Sequence, residues 1–108
     1  MNDQIEVLIK IMNQFFEIQK KMAGKSELNS LQRNLERIQE YFGEISLEMH
    51  NPLGENYNET RTDCEASIAG ELGRNLLISE VIKPIIYLND ENNRKVIVQK
   101  GVVIVHSV

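Results

Sequence analysis

The sequence predicts an α+β chain. An N-terminal helical hairpin, or one kinked helix, forms a dimeric four-helix bundle or coiled coil; a small all-β domain of about six short strands follows. Two observations predict it. Apolar residues recur at steps of 3 and 4 up to residue 45, and from Asn75 to Val108 apolar runs rich in Val and Ile follow one another with little between them. Helical spacing marks a buried helix face, and β-branched residues suit a pleated, half-buried surface. The expected division is a dimerisation stem over 1–45 and a β-domain over 46–108.

In the first helical segment Leu8, Ile11, Phe15, Ile18 and Met22 form the stripe, widened by Ile5, Met12 and Phe16. A stripe this broad predicts a helix buried on more than one side. Gly24 suits the position just past a helix end, where Lys20, Lys21 and Lys25 also favour the dipole. Ser26 can cap the next helix. There Leu28, Leu31, Leu35, Ile38, Phe42 and Ile45 step 3-4-3-4-3 without an error, opposite Arg33, Asn34, Glu36, Arg37 and Glu40. Two such helices cannot cover each other's apolar surface, so a second copy is expected to complete the bundle. The positions assigned to dimerisation are Leu8, Ile11, Phe15, Ile18, Met22, Leu28, Leu31, Leu35, Ile38 and Phe42. The competing arrangement folds the first helix onto the β-domain of its own chain.

Ile45–Met49 alternates and predicts a strand leaving the helix. Asn51-Pro52-Leu53-Gly54-Glu55 is a turn, residues 57–63 a polar loop, and Cys64–Ala69 a short strand with one face buried. A turn over 70–73 leads into the last sheet. Val81–Leu88 and Lys95–Val105 read as a hairpin around the polar cluster Asn89-Asp90-Glu91-Asn92-Asn93, with Gly101 as a bulge.

Lys and Arg number 12 against 16 Asp and Glu, and neither half of the chain is basic, so a surface that tracks nucleic-acid phosphates is not expected. Met1-Asn2-Asp3-Gln4 is no basic signal region and no apolar run reaches membrane-spanning length, so no membrane association is expected. The single Cys64 allows no internal disulfide and fits a reducing cytoplasm. Cys64 with His50 or His106 could form a nucleophile pair or a zinc site. However, Asp63 and Glu65 disfavour a thiolate, and the short paired ligand spacing of zinc sites is missing. Glu55, Glu59, Asp63 and Glu65 cluster in sequence and read as a solvated loop. The expectation is a binding or regulatory protein: not an enzyme, with no catalytic residue, cofactor or metal.

Leu53-Gly54-Glu55 with Tyr57 and Asn58, then Glu65-Ala66, then Val81-Ile82-Lys83 through Leu88-Asn89-Asp90, and Ile97 through Val105, resemble the β-domain of the GrpE family, nucleotide-exchange factors of Hsp70 (DnaK-type) chaperones. The order of helices before a closing β-domain is similar as well. Ile85-Ile86 stands where the family has Gly-Tyr, and Gln99-Lys100-Gly101 where it has Arg-Pro-Ala. The resemblance implies a homodimeric, cytoplasmic co-chaperone whose β-domain wedges against the Hsp70 nucleotide-binding domain and promotes ADP release by holding it open. It places the family's turn arginine at Arg94. Val102 and Val103 on the last strand, and Leu53 and Tyr57 near the first turn, are the other expected contacts. The competing reading is a dimeric adaptor of the same architecture without exchange activity.

Overall fold

The computed structural model describes residues 3–71, 73 and 75–107. Among these residues two α-helices precede seven strands in two sheets, an α+β chain. Leu72, part of the turn expected over 70–73, lies outside the described residues.

Helix α1, Asp3–Met22, carries Asp3 and Glu6 in its first turn and Lys20 and Lys21 in its last, each matched to the dipole end beside it. The chain turns at Gly24, whose φ of +77° suits a residue without Cβ. Helix α2 does not begin at Ser26. Ser26–Leu31 is a 3₁₀ helix entered from Lys25 with no side-chain cap, and α2 spans Gln32–Glu44. No side chain in the 3₁₀ segment is buried, so no packed face holds it to α-helical pitch. Asn29 and Ser30, weak helix formers, do not oppose this.

The two helices form a hairpin rather than one rod. The rings of Phe15 and Phe42 meet edge to face, centroids 5.7 Å apart, and Met12 and Leu35 join them. The 3-4 stripe of the second segment separates into two lines. Leu35 and Phe42, seven apart, turn inward and Leu28 is half-buried, whereas Leu31, Ile38 and Ile45 stay exposed. Leu8, Phe15 and Met22 form the matching inner line on α1, with Ile11 and Ile18 left exposed.

The strands are β1 (Leu47–His50), β2 (Asn56–Tyr57), β3 (Cys64–Ala69), β4 (Leu76–Lys83), β5 (Ile85–Asn89), β6 (Lys95–Gln99) and β7 (Gly101–Ser107). One sheet has the order β1-β5-β6 and the other β2-β4-β7-β3; all pairs are antiparallel except β3 with β7. The turn after β5 lies where the polar cluster places it. The Asp90 carboxylate accepts the backbone N–H groups of Asn92 and Arg94, and Asn93 takes φ +60°.

The arms of this hairpin are not single strands. Each breaks at the same level, between Lys83 and Ile85 and between Gln99 and Gly101, and passes from one sheet to the other. Pro84 has no N–H to lose at such a break. Its carbonyl accepts a bond from Gln99 Nε2 at 2.9 Å. Gly101 opens β7 instead of forming a bulge; the register shifts lie at 78–80 and 81–83 against β7 and at 86–87 against β6. A Cβ on Gly101 would stand 3.0 Å from Ile85 Cγ1 and 3.1 Å from Cys64 Sγ. Here glycine serves close approach, not positive φ. The Pro84 break and the short β2 raise the strand count above that expected.

Two apolar clusters fill the interior. Cys64, Ile78, Val81, Ile85, Val103 and Val105 pack with Phe16 of α1. Leu47 and Ile86 pack with Met12, Phe15, Leu35 and Phe42. Helix α1 therefore packs on the strands of its own chain. Polar ties reinforce this: Asn13 and Gln99 exchange two side-chain hydrogen bonds of 2.9 Å, and Lys20 Nζ donates to the Val81 carbonyl at 3.0 Å. Gly101→Ala should lower stability by about 1–3 kcal/mol in urea unfolding, as overpacking typically does. In a Cys64→Ala background the same change should cost less, since the crowded sulfur is gone.

Candidate interaction surfaces

The helical hairpin has an apolar outer face. On α1 the exposed residues Ile11 and Ile18 sit about 60° behind the inner line Leu8-Phe15-Met22, at 100° per residue, and Val7 about 100° behind it. On α2 Ile38 sits about 60° behind Leu35 in the same sense, and Leu31 and Ile45, at the two ends of α2, are exposed as well. Because the helices run antiparallel, equal offsets place Ile11, Ile18 and Ile38 on one side of the hairpin. Phe16, Asn13 and Lys20, which touch the strands, lie on the opposite side of α1. The six outer side chains keep between 38% and 53% of their surface exposed, and Tyr41 beside them is also open. Of the positions assigned to dimerisation, Ile11, Ile18, Leu31 and Ile38 face outward; Phe15, Leu35 and Phe42 are buried within the chain.

The five residues expected to contact a partner do not form one patch. Val103 is 1% exposed between Ile78, Val81 and their neighbours, so it is not an exposed contact; on alternating β7 it points into the core. Val102 takes the other face, half-buried opposite Glu65 and Lys83. Tyr57 is half-buried against the same core. Leu53 is exposed in a turn closed by its own N–H to Asn51 Oδ1 at 3.1 Å, with Gly54 at φ +83°. Arg94 is exposed at the β5–β6 turn. Asn89, just before that turn, bonds Ser46 at the start of β1, whereas Leu53 follows the end of β1, so the strand separates Arg94 from Leu53.

The acidic loop has an organiser that composition alone hides. Arg61 Nε donates to Asp63 Oδ1 at 2.6 Å, Nη2 donates to Glu55 Oε1 at 2.7 Å, and Nη1 donates to the Asn56 carbonyl at 3.0 Å. His50 Nε2 meets the other oxygen of Glu55 at 2.5 Å. A lone arginine among Glu55, Glu59, Asp63 and Glu65 was the available signal. The guanidinium, first through its bond to Asp63, is held firmly charged. Its hydrogen bond is also the main reason that the Asp63 carboxyl lies below its usual range. Burial alone would raise the Glu55 carboxyl, but Arg61 and then His50 outweigh it, and the net shift is downward. Burial pushes the Cys64 thiol up to about 11, with Asp63 adding to the effect. His106 bonds Ser79 Oγ at 2.6 Å on the other sheet from His50. Among the described residues no three His, Cys, Asp or Glu side chains converge as a metal site, and no helix is long and apolar enough to cross a membrane.

No family model, curated protein or solved structure matches the chain.

Arg61 predicts a pH dependence. Both carboxyls are depressed in the fold, so their contribution is complete above the ordinary values of 4.5 and 3.8. It is lost as the pH falls through the lower folded-state values. Urea unfolding across this range should show stability declining below about pH 4.5, and Arg61→Ala should flatten the decline.

Proposed function

We propose that the chain is a GrpE-like nucleotide-exchange factor, acting as a cytoplasmic homodimer on the nucleotide-binding domain of an Hsp70 (DnaK-type) chaperone. The observation that carries the reading is a helical hairpin with two apolar sides. One side is occupied by the chain's own strands, and Val7, Ile11, Ile18, Leu31, Ile38 and Ile45 stay exposed away from them; in this proposal a second copy covers them. Two hairpins joined along these rows make a four-helix bundle with a β-unit on each flank. Leu53 and Gly54, in a turn that carries part of the family resemblance, and Arg94, where that resemblance places the family's turn arginine, are exposed on that β-unit.

Exchange by such a protein needs no reacting side chain. The factor binds the open, nucleotide-poor state of its partner better than the closed one, and reciprocity then weakens ADP binding. A tenfold acceleration through differential affinity corresponds to about 1.4 kcal/mol. The β-unit delivers this preference by fitting the open cleft. The second reading, a dimeric adaptor without exchange activity, is favoured by one observation: Leu53 and Arg94 lie at opposite ends of β1, and Val103 is buried.

Release of a fluorescent ADP analogue from an Hsp70 of the same organism tests the proposal. Acceleration of about tenfold or more, reduced by Arg94→Ala, is the expected result. Binding without acceleration selects the adaptor, and neither binding nor acceleration discards both readings. The dimer has its own test in sedimentation equilibrium. Ile11→Lys with Ile38→Lys should give a monomer with unchanged helical circular dichroism, because both side chains are exposed within one chain. A mass still twice the chain's would remove the outer face from the interface.

A further inference from the structure

Strand β6 forms one rim of the three-stranded sheet. Hydrogen bonding in an antiparallel pair alternates, so the direction of each β6 backbone group follows from the turn. The Asp90 N–H donates to the Arg94 carbonyl at 2.9 Å, which makes 90 and 94 a bonded pair. In the same register Leu88 and Val96 are the next bonded pair, and Lys95 and Ile97 fall between them. Asn89, opposite Lys95, confirms the phase: its N–H turns away from β6 and donates to Ser46 at 2.9 Å. The N–H and C=O groups of Lys95 and Ile97 therefore point out of the sheet.

The side chains along this rim are open and apolar. Val96 is 49% and Ile97 37% exposed. The other rims differ: β1 has four residues and β2 two, and on β3 the exposed Ile68 stands beside Glu65 and Ser67, with no exposed cation on the strand. Charge defines the occupant further. Arg94 and Lys100 flank β6, both exposed, and no ion pair involves either among the described residues. Lys95 is already paired with Glu48 at 2.7 Å. A β6 strand from a second copy, centred on Ile97, would set Arg94 against Lys100 at both ends, and like charges directly opposite oppose pairing. An incoming strand with carboxylates at its ends meets those cations instead.

We infer that the β6 rim is a strand-docking site for an extended segment of a partner protein, with an apolar centre and acidic residues about six positions apart, a span of roughly 20 Å. The backbone groups of Lys95 and Ile97 hold the segment. Val96 and Ile97 cover its centre, and Arg94 and Lys100 fix its ends. This inference needs neither an Hsp70 nor the helical interface; it shares only Arg94 with the exchange-factor reading, and peptide binding reads it separately from ADP release.

The test uses the full chain and a fluorescein-labelled peptide, Glu-Thr-Val-Thr-Val-Thr-Glu, followed by fluorescence anisotropy. A control peptide replaces both Glu with Lys. Saturable binding of the acidic peptide, at least tenfold tighter than the control, is expected. Arg94→Glu with Lys100→Glu should reverse that preference. Ile97→Pro removes an outward N–H without breaking the internal ladder, so it should weaken binding at least tenfold while thermal unfolding stays close to that of the native chain. Equal binding of both peptides, undiminished binding to a folded Ile97→Pro variant, or no binding by about 1 mM peptide overturns the inference. Sedimentation showing chain-to-chain growth that Ile97→Pro abolishes also overturns it, by assigning the rim to a second copy.

Discussion

The structure depends on one corner, where Pro84 and the Gln99–Gly101 step let both arms of a long hairpin change sheets together. Without that bend β4 and β5 would continue as one strand, and alternate residues would face only two directions. With it, Ile85 and Ile86 enter different cores, the first among Cys64, Val81 and Val103 and the second among Met12, Phe15 and Leu47. Neither side chain has any exposed surface. The corner stays closed because its components require one another. Proline leaves no ladder donor orphaned, Gln99 satisfies the proline carbonyl, and glycine admits Ile85 and the Cys64 sulfur to the space a Cβ would take.

Much of this was legible in the sequence. The terminal hairpin, its polar turn, the Cys64 strand and the Asn51–Glu55 turn follow from local chemistry, because turn residues and alternation act over a few positions. The corner was half legible. Pro84 and Gly101 stood out, but a break in one strand becomes a sheet change only when the opposite arm breaks at the same level. That fact belongs to the pairing register. The role of Arg61 was only hinted at, by its standing alone among carboxylates, for a related reason. Its partners Glu55 and Asp63 are charges of a kind that composition assigns to solvent, and only the folded loop brings them to one guanidinium.

The helices show a different limit. An unbroken 3-4 stripe from Leu28 to Ile45 describes an apolar face without saying what covers each part of it. The fold divides that face lengthwise. Leu35 and Phe42 are sealed by α1 and the strands, and Leu31, Ile38 and Ile45 are left outside. Folding back on the chain's own sheet and offering a seam to another molecule are therefore compatible demands on one stripe. Each uses its own line of side chains. The same holds for α1, where Phe16 and Ile11 lie on different sides of a single turn or two of helix.

The paired amides of Asn13 and Gln99 have a mechanical consequence. Gln99 grips the Pro84 carbonyl as well as Asn13, so the helix is bolted to the hinge line between the sheets, and Lys20 adds a second fastening at Val81. A load applied to the tip of the β5–β6 hairpin meets a braced lever. The hairpin and the helix are thereby braced against one shared line, by side chains that belong to the tip of neither.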